Sequence, residues 1–328
     1  MKRPILVTGA AGFIGSAVCK RLLVDGESVI GIDNINDYYP VALKHARLDR
    51  LKDRSGFSFA QVNISDLDAL KQSVTGHRLS KVVHLAAQAG VRYSLENPMA
   101  YAESNLTGHL AILELCRHTD ELEHLVYASS SSVYGLNKKM PFSEEDRVDK
   151  PVSLYAATKK SGELMSHTYA HLYGLPQTGL RFFTVYGPWG RPDMAYWSFT
   201  DKIMKGETID VFNHGDMKRD FSYIDDIVAG ILGSLDNVPE KDEDGLQNRI
   251  FNIGNKKPED LLHFIGVIAD AVGKEAKTRM LPMQPGDVYE TYADTTAIEE
   301  ACGFESKTSI EEGIPRFVDW FRGYNGLK

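Results

Sequence analysis

Thr8-Gly9-Ala10-Ala11-Gly12-Phe13-Ile14-Gly15 decides how this chain is read. It follows an apolar run, Ile5-Leu6-Val7, and opens a stretch in which Ala17, Val18, Leu22 and Leu23 share one helical face. Strand, glycine-rich turn and helix therefore come in that order. The glycines at 9, 12 and 15 have GxxGxxG spacing. Such glycines permit a tight turn, let the backbone approach a pyrophosphate, and let helix pack on strand. A phosphate at this turn meets open N–H groups and the positive end of the helix dipole. The turn alone also serves as a bare strand-to-helix connection, so the surrounding residues have to decide.

Working outward, a second strand is predicted over Ser28 to Ile32. It is followed by Asp33, 18 residues beyond Gly15, with Asn34 beside it. A carboxylate there accepts from both adenosine ribose hydroxyls and repels a 2′-phosphate, which favours NAD over NADP. A third strand is predicted over Phe57 to Val62. Asp66 beyond it falls where such folds contact adenine, and is equally suited to capping a helix. A fourth strand, Lys81 to Leu85, runs into Ala86 and Ala87. Then come a long helix from about Pro98 to Cys116, a strand at His124 to Ala128, a helix at Tyr155 to Tyr173 and a strand at Gln177 to Phe183. This alternation predicts a Rossmann-type, doubly wound parallel α/β sheet, and the continuous apolar strands suit a sheet covered on both faces. After Phe183 the pattern is broken by Pro188 and Pro192. A smaller mixed α/β C-terminal lobe is expected. The expected division is 1–185 plus about 222–253 for the dinucleotide, and about 186–221 plus 254–328 for the substrate.

Tyr155-Ala156-Ala157-Thr158-Lys159 puts a phenol and an ammonium one turn apart on one helix face. A neighbouring cation lowers the pKa of a phenol, and a charged nicotinamide adds to the effect, so the tyrosine can act as a base near neutral pH. YxxxK spacing is a frequent accident. The run Ala128-Ser129-Ser130-Ser131-Ser132-Val133-Tyr134-Gly135 shifts the balance. It places hydroxyls at the carboxyl end of a strand, where open α/β sheets bind ligands.

These segments, with His84-Leu85-Ala86-Ala87, resemble the extended short-chain dehydrogenase/reductases that act on nucleotide sugars, over nearly the whole chain. Three stretches resemble the UDP-glucuronate 4-epimerases among them: Asp33-Asn34-Ile35-Asn36-Asp37-Tyr38-Tyr39, Ala87-Gln88-Ala89-Gly90-Val91-Arg92-Tyr93-Ser94, and the segment from Arg181 to Met194. The resemblance implies an NAD cofactor, Ser130 as the catalytic hydroxyl, Tyr155 as the base and Lys159 as its partner. Cofactor contacts are implied at Gly9, Gly12, Phe13, Ile14, Gly15, Asp33, Asn34, Asp66, Leu85, Ala86 and Ala87. It also implies Arg219 on the diphosphate and Asn213 and Asp287 on the uridine side. UDP-galactose 4-epimerases tend to carry arginine near the position of Gln284, a departure here.

Dehydratases that resemble this family carry Asp-Glu just before Val-Tyr-Gly, and the decarboxylases carry glutamate at the second of those positions. Here Ser131 and Ser132 stand there. Elimination and assisted decarboxylation lose their catalytic group, which leaves epimerisation through a 4-keto sugar, and the resemblance implies that it is the reversible C4 epimerisation of UDP-glucuronate to UDP-galacturonate. Ser131, Ser132, Thr184 and Arg191 are expected to grip the C5 carboxylate, Arg191 through charge-assisted hydrogen bonds. The plain alternative for Arg191 is a surface pair with Asp193. Arg92 is expected to close the site or contact phosphate. Two other readings stay open: a UDP-glucose/UDP-galactose 4-epimerase, and a non-catalytic NAD-binding sensor, since fold does not imply function. Intact Ser130, Tyr155 and Lys159 weigh against the sensor.

The formal net charge of −8 argues against a nucleic-acid surface but leaves room for an anionic substrate held by local arginines. Cys19, Cys116 and Cys302 are scattered, with neither metal spacing nor a disulfide framework, so no metal is expected. No run approaches the ~18 apolar residues of a membrane span. No signal-peptide cleavage pattern follows the N-terminus. A cytoplasmic protein is expected. Leu106, Leu110 and Leu113, with Leu164, Met165 and Leu172, exceed what one sheet face needs. In similar enzymes such helices pair into a four-helix interface, so a homodimer is expected.

Overall fold

Adjacent residues of a strand point to opposite faces, and the apolar pairs of this chain use both. The computed structural model describes residues 2–283 and 289–327. Its first ten strands are β1 (Ile5–Thr8), β2 (Val29–Asp33), β3 (Phe57–Gln61), β4 (Lys81–His84), β5 (His124–Ser130), β6 (Gln177–Phe182), β7 (Thr184–Tyr186), β8 (Thr208–Val211), β9 (Lys218–Tyr223) and β10 (Asn248–Ile253). Seven of them form one parallel sheet in the order β10-β6-β5-β4-β1-β2-β3. Val7, Val83 and Val126 pack on one face with Phe13, Val18 and Leu22 of the helix Phe13–Val24 and with Ile227 and Ile231 of the helix Ile224–Asp236. Their neighbours Leu6, Val82 and Leu125 pack on the other face with Ile112 and Leu115. This is the doubly wound α/β sheet read from the sequence.

The rest of the chain forms small sheets. β9 pairs in parallel with β7 and β13 (Glu290–Thr291), and antiparallel with β11 (Pro258–Asp260). β8 pairs in parallel with β12 (Lys277–Met280). The helices Leu261–Val272 and Ile310–Asn325 supply Phe264, Ile268, Phe317 and Phe321, which join the core cluster that also holds Val7 and Val83. Among the described residues no helix is long and apolar enough to cross a membrane.

Two expectations need correction. The helix from Pro98 is not uniform: α-helix over Pro98–Tyr101 gives way to a π-helical segment, Ala102–Thr107, before α-helix resumes over Gly108–Arg117. A π segment re-aims the side chains it carries. Here Asn105 turns inward, accepting from Gln88 N at 2.8 Å and donating to Gln88 O and Thr158 Oγ1, each at 3.0 Å. Leu113 is fully buried in its own core, so it adds nothing to an outer face.

Candidate active site

The turn after β1 is a cradle that side chains would fill. A Cβ on Gly15 would stand 2.0 Å from the Gly9 carbonyl oxygen, and one on Gly9 would stand 2.9 Å from Ala86 N. Gly12, at the start of the helix Phe13–Val24, offers no side-chain cap, which leaves first-turn N–H groups available to a phosphate. Asp33 is buried at the end of β2. Its Oδ2 accepts from Ala11 N at 3.1 Å and its Oδ1 from Ile35 N at 2.8 Å. Each carboxylate oxygen keeps a further lone pair for a ribose hydroxyl. These features fit NAD. Asp66 is held as the N-cap of the helix Leu67–Ser73, its Oδ1 accepting from Ala69 N at 3.0 Å. Asn34 Oδ1 accepts from Asn36 N at 3.1 Å.

Ser130 ends β5 and caps the short 3₁₀ turn Ser131–Tyr134, its Oγ accepting from Ser132 N at 3.2 Å. Ser131 and Ser132 are half-buried in that turn. Tyr155 lies in the first turn of the helix Leu154–Tyr173, whose N-cap Ser153 accepts from Ala156 N at 3.1 Å. The Ser130 hydroxyl lies near enough to Tyr155 to favour its ionised form. Burial raises the Tyr155 pKa; Ser130 and the Arg191 charge oppose it, and Asp193 adds to it. Lys159 Nζ donates to Ala128 O at 2.8 Å. Burial brings the Lys159 ammonium down to about 8, with Glu163 pulling the other way. Beneath Lys159 lies a cavity of about 10 Å³ bounded by His84, Asn105, His109 and Tyr127, room for one water. His84 and His109 are stacked at 5.2 Å. Burial, with the Lys159 charge, keeps both neutral, His109 falling to about 3. The cavity therefore brings no second cation against Lys159.

Thr184 opens β7, half-buried. Arg191 Nε donates to Asp193 Oδ1 at 3.0 Å and Nη2 donates to Oδ2, so the pairing with Asp193 is real, and both charges are felt at Tyr155. The Arg92 guanidinium sits over the Phe212 ring at 5.9 Å. Arg219 Nη1 donates to the carbonyls of Lys218 at 2.8 Å and Tyr289 at 3.0 Å. Asn213 has a left-handed backbone, φ 48°, and its Nδ2 donates to Asp216 O at 2.6 Å. Asp287 and Gln284 lie outside the described residues. Among the described residues no group of three or more His, Cys, Asp or Glu is placed to hold a metal ion.

Sequence reading missed two buried arginines. Arg47 is fully buried and donates to the carbonyls of Ala11, Trp189 and Gly190 and to the Tyr39 hydroxyl, at 2.7–3.1 Å. It ties the glycine-rich turn to the loop that carries Arg191. Its position four residues after Leu43 and four before Leu51, on an apolar face, was the available signal. Arg181 on β6 forms a two-pronged pair with Glu163, at 2.8 and 3.0 Å, while Ser129 Oγ donates to Glu163 Oε1 at 2.7 Å. That pair fastens the serine-rich end of β5 to the helix bearing Tyr155 and Lys159.

Comparison with known proteins follows the same lines. The family model described as "NAD dependent epimerase/dehydratase family" matches residues 5–254. UDP-glucuronate 4-epimerase 2 of Arabidopsis thaliana is 48% identical over 330 residues, spanning 98% of this chain and 76% of that protein. The crystal structure of UDP-glucuronic acid 4-epimerase from Bacillus cereus, in complex with UDP-glucuronic acid and NAD, is 34% identical with a TM-score of 0.88, covering 98% of this chain and 99% of that one. UDP-glucose 4-epimerase from Thermotoga maritima, with UDP-glucose, is 31% identical with a TM-score of 0.86, covering 98% and 99%. A glycine cradle that fits NAD, a tyrosine one helical turn from a buried lysine, and a family match over most of the sequence agree: the chain belongs to the NAD dependent epimerase/dehydratase family.

Proposed function

We propose that this chain interconverts UDP-glucuronate and UDP-galacturonate by NAD-dependent epimerisation at C4. The observation that carries the reading is Ser131 and Ser132 standing, in the turn that Ser130 caps, where acids would be needed for elimination, with Tyr155 and Lys159 one turn apart on the helix Leu154–Tyr173. Tyr155 takes the C4 hydroxyl proton, Ser130 bridging sugar oxygen and phenol. Bound NAD supplies the chemistry of taking the C4 hydride and returning it. Lys159, protonated below about 8, supports the phenolate. The 4-keto sugar is a β-keto acid; Arg191, Ser131, Ser132 and Thr184 hold its carboxylate in the plane that disfavours C–C cleavage. Tyr155 returns the proton after the sugar has turned over about its pyrophosphate linkage. Arg92, Arg219, Asn213 and Asp287 serve the nucleotide end. Residues 1–185 with about 222–253 bind NAD, with Asn34 and Asp66 at the adenosine end. About 186–221 with 254–328 bind the nucleotide sugar.

Purified protein given UDP-glucuronate without added NAD is expected to yield UDP-galacturonate by NMR and to carry NAD through gel filtration, because the hydride returns each cycle. Stoichiometric NAD consumption would replace the epimerase by a net dehydrogenase. Arg191→Ala removes charge-assisted contacts worth ~1.5–3 kcal/mol, so kcat/KM for UDP-glucuronate should fall roughly 10- to 150-fold. A wild-type preference for UDP-glucose would favour the neutral-sugar epimerase instead.

The same reading includes a cytoplasmic homodimer. Leu110, Leu164 and Leu172 are 41%, 57% and 59% exposed on neighbouring helices, an apolar face that a second copy would cover. Three free thiols suit a reducing compartment. Light scattering at micromolar concentration should give twice the chain mass; a monomer mass removes the dimer.

A further inference from the structure

The three stretches that resemble UDP-glucuronate 4-epimerases lie far apart along the chain and meet at one point. From the first, Tyr38 OH donates to Asp193 Oδ2 at 3.2 Å. From the second, Gly90 makes room for that hydroxyl: a Cβ there would stand 2.5 Å from Tyr38 OH, and its φ of +100° suits glycine alone. Tyr93, also of the second stretch, packs its ring on Tyr38 at 4.7 Å. From the third, Asp193 grips Arg191 through Nε and Nη2.

That grip is one-sided. A guanidinium offers five donors in a fixed plane, and Asp193 takes only the Nε–Nη2 edge. Asp193 occupies Nε and one hydrogen of Nη2, so the Nη1–Nη2 edge is not the one it takes, and that edge is the one suited to a second carboxylate. The backbone beneath is fixed too. Arg47 holds the Trp189 and Gly190 carbonyls, and Arg191 N donates to Tyr196 OH at 3.1 Å. Tyr38 is kept protonated as a donor: burial, then the Asp193 charge, pushes its phenol up to about 12.

We infer that Tyr38 and Asp193 are positioning residues that aim the open edge of Arg191 at the C5 carboxylate, and so determine specificity for a uronate over a neutral hexose. The inference rests on the reading that the substrate is a UDP-uronate. A lone arginine on a surface loop would sample many rotamers. Clamped by a carboxylate that is itself held by a phenol, it loses that freedom before substrate arrives, and the cost of ordering it is not charged to binding. UDP-glucose, with a hydroxymethyl group at the same carbon, gains little from the aimed edge.

The test uses the NAD-loaded enzyme with Tyr38→Phe and Asp193→Asn, and calorimetric binding of UDP-glucuronate and UDP-glucose. Tyr38→Phe removes one oxygen and keeps the ring, so it preserves the fold should Asp193→Asn fail to express. Affinity for UDP-glucuronate is expected to fall roughly 5-fold in Tyr38→Phe and roughly 10- to 100-fold in Asp193→Asn, as for a lost hydrogen bond and a lost charged one. UDP-glucose affinity should stay within about 2-fold in both, and the Asp193 variant should release more carbon dioxide per turnover from a less firmly held β-keto acid. Equal losses for both sugars, or no change in either, overturn the inference. A gain in UDP-glucuronate affinity also overturns it, since Asp193 would then be a competitor of the substrate carboxylate. If the wild-type enzyme itself binds both sugars alike, it is the uronate reading that fails, a separate result.

Discussion

Replacing Tyr155 with phenylalanine is expected to lower kcat by ~10²–10⁴-fold while substrate affinity is largely kept, because a general acid–base group contributes on that scale. The ring stays, and with it the packing against Tyr101, whose centroid lies 6.0 Å away. What leaves is the oxygen whose ionisation Ser130 and the Arg191 charge favour. Burial by itself pushes this phenol up, so cations must bring the base into the working range. We propose Lys159, one turn along the same helix and with a pKa of about 8, as one of them. It is charged below that pH and loses its charge above it. Lys159→Met should therefore move the acid limb of the kcat/KM profile toward higher pH, since the phenol then ionises later. Tyr155→Phe with near-normal turnover would take the tyrosine out of the mechanism.

Arg181→Met is expected to destabilise the protein by ~3–5 kcal/mol, the usual cost of leaving one member of a buried ion pair alone. Glu163 and Arg181 are both buried, and Lys160, at 3.3 Å and on the surface side, is a poor substitute partner. Burial raises the Glu163 pKa, but the Arg181 bonds and charge, then Ser129, more than offset this and leave it below its ordinary value. A carboxyl with a depressed folded pKa stabilises above its unfolded pKa and loses that contribution as the pH falls. The gap between wild type and Arg181→Met, measured by denaturant unfolding, should thus narrow in acid. The double variant Arg181→Met/Glu163→Leu should recover much of the loss, because no buried charge is stranded. If single and double variants lose the same stability, the cost comes from packing and the pair is not its source.

The elements read from sequence were those whose causes are local. β1, the glycine turn and the helix behind it follow from an apolar run and from three positions where backbone crowding excludes a side chain. Leu6 and Val7, or Val82 and Val83, announce a sheet covered on both faces because alternating side chains must each find a core. Ser130, Tyr155 and Lys159 were legible because strand end and helix spacing place them without further information. The small sheets were not. Lys277–Met280 is exposed along its whole length, so no alternation marks it as a strand. Asn105 was hidden because it sits in a π segment and its partners Gln88 and Thr158 lie 17 and 53 positions away.

The sequence by itself therefore determined a Rossmann-type fold, an NAD cradle and the placement of Ser130 at a strand end with Tyr155 and Lys159 one turn apart on a helix, since each rests on contacts between residues near one another in the chain or on strand periodicity. Only the tertiary structure decided what surrounds them. Arg47 reaches Trp189 across 142 positions and Tyr38 reaches Asp193 across 155. Pairings at such separation leave no periodic trace, because the chain between them can take any course that brings the ends together. Whether Arg191 is a surface charge or an aimed one depends on those pairings, and spacing within its own loop is the same in both cases.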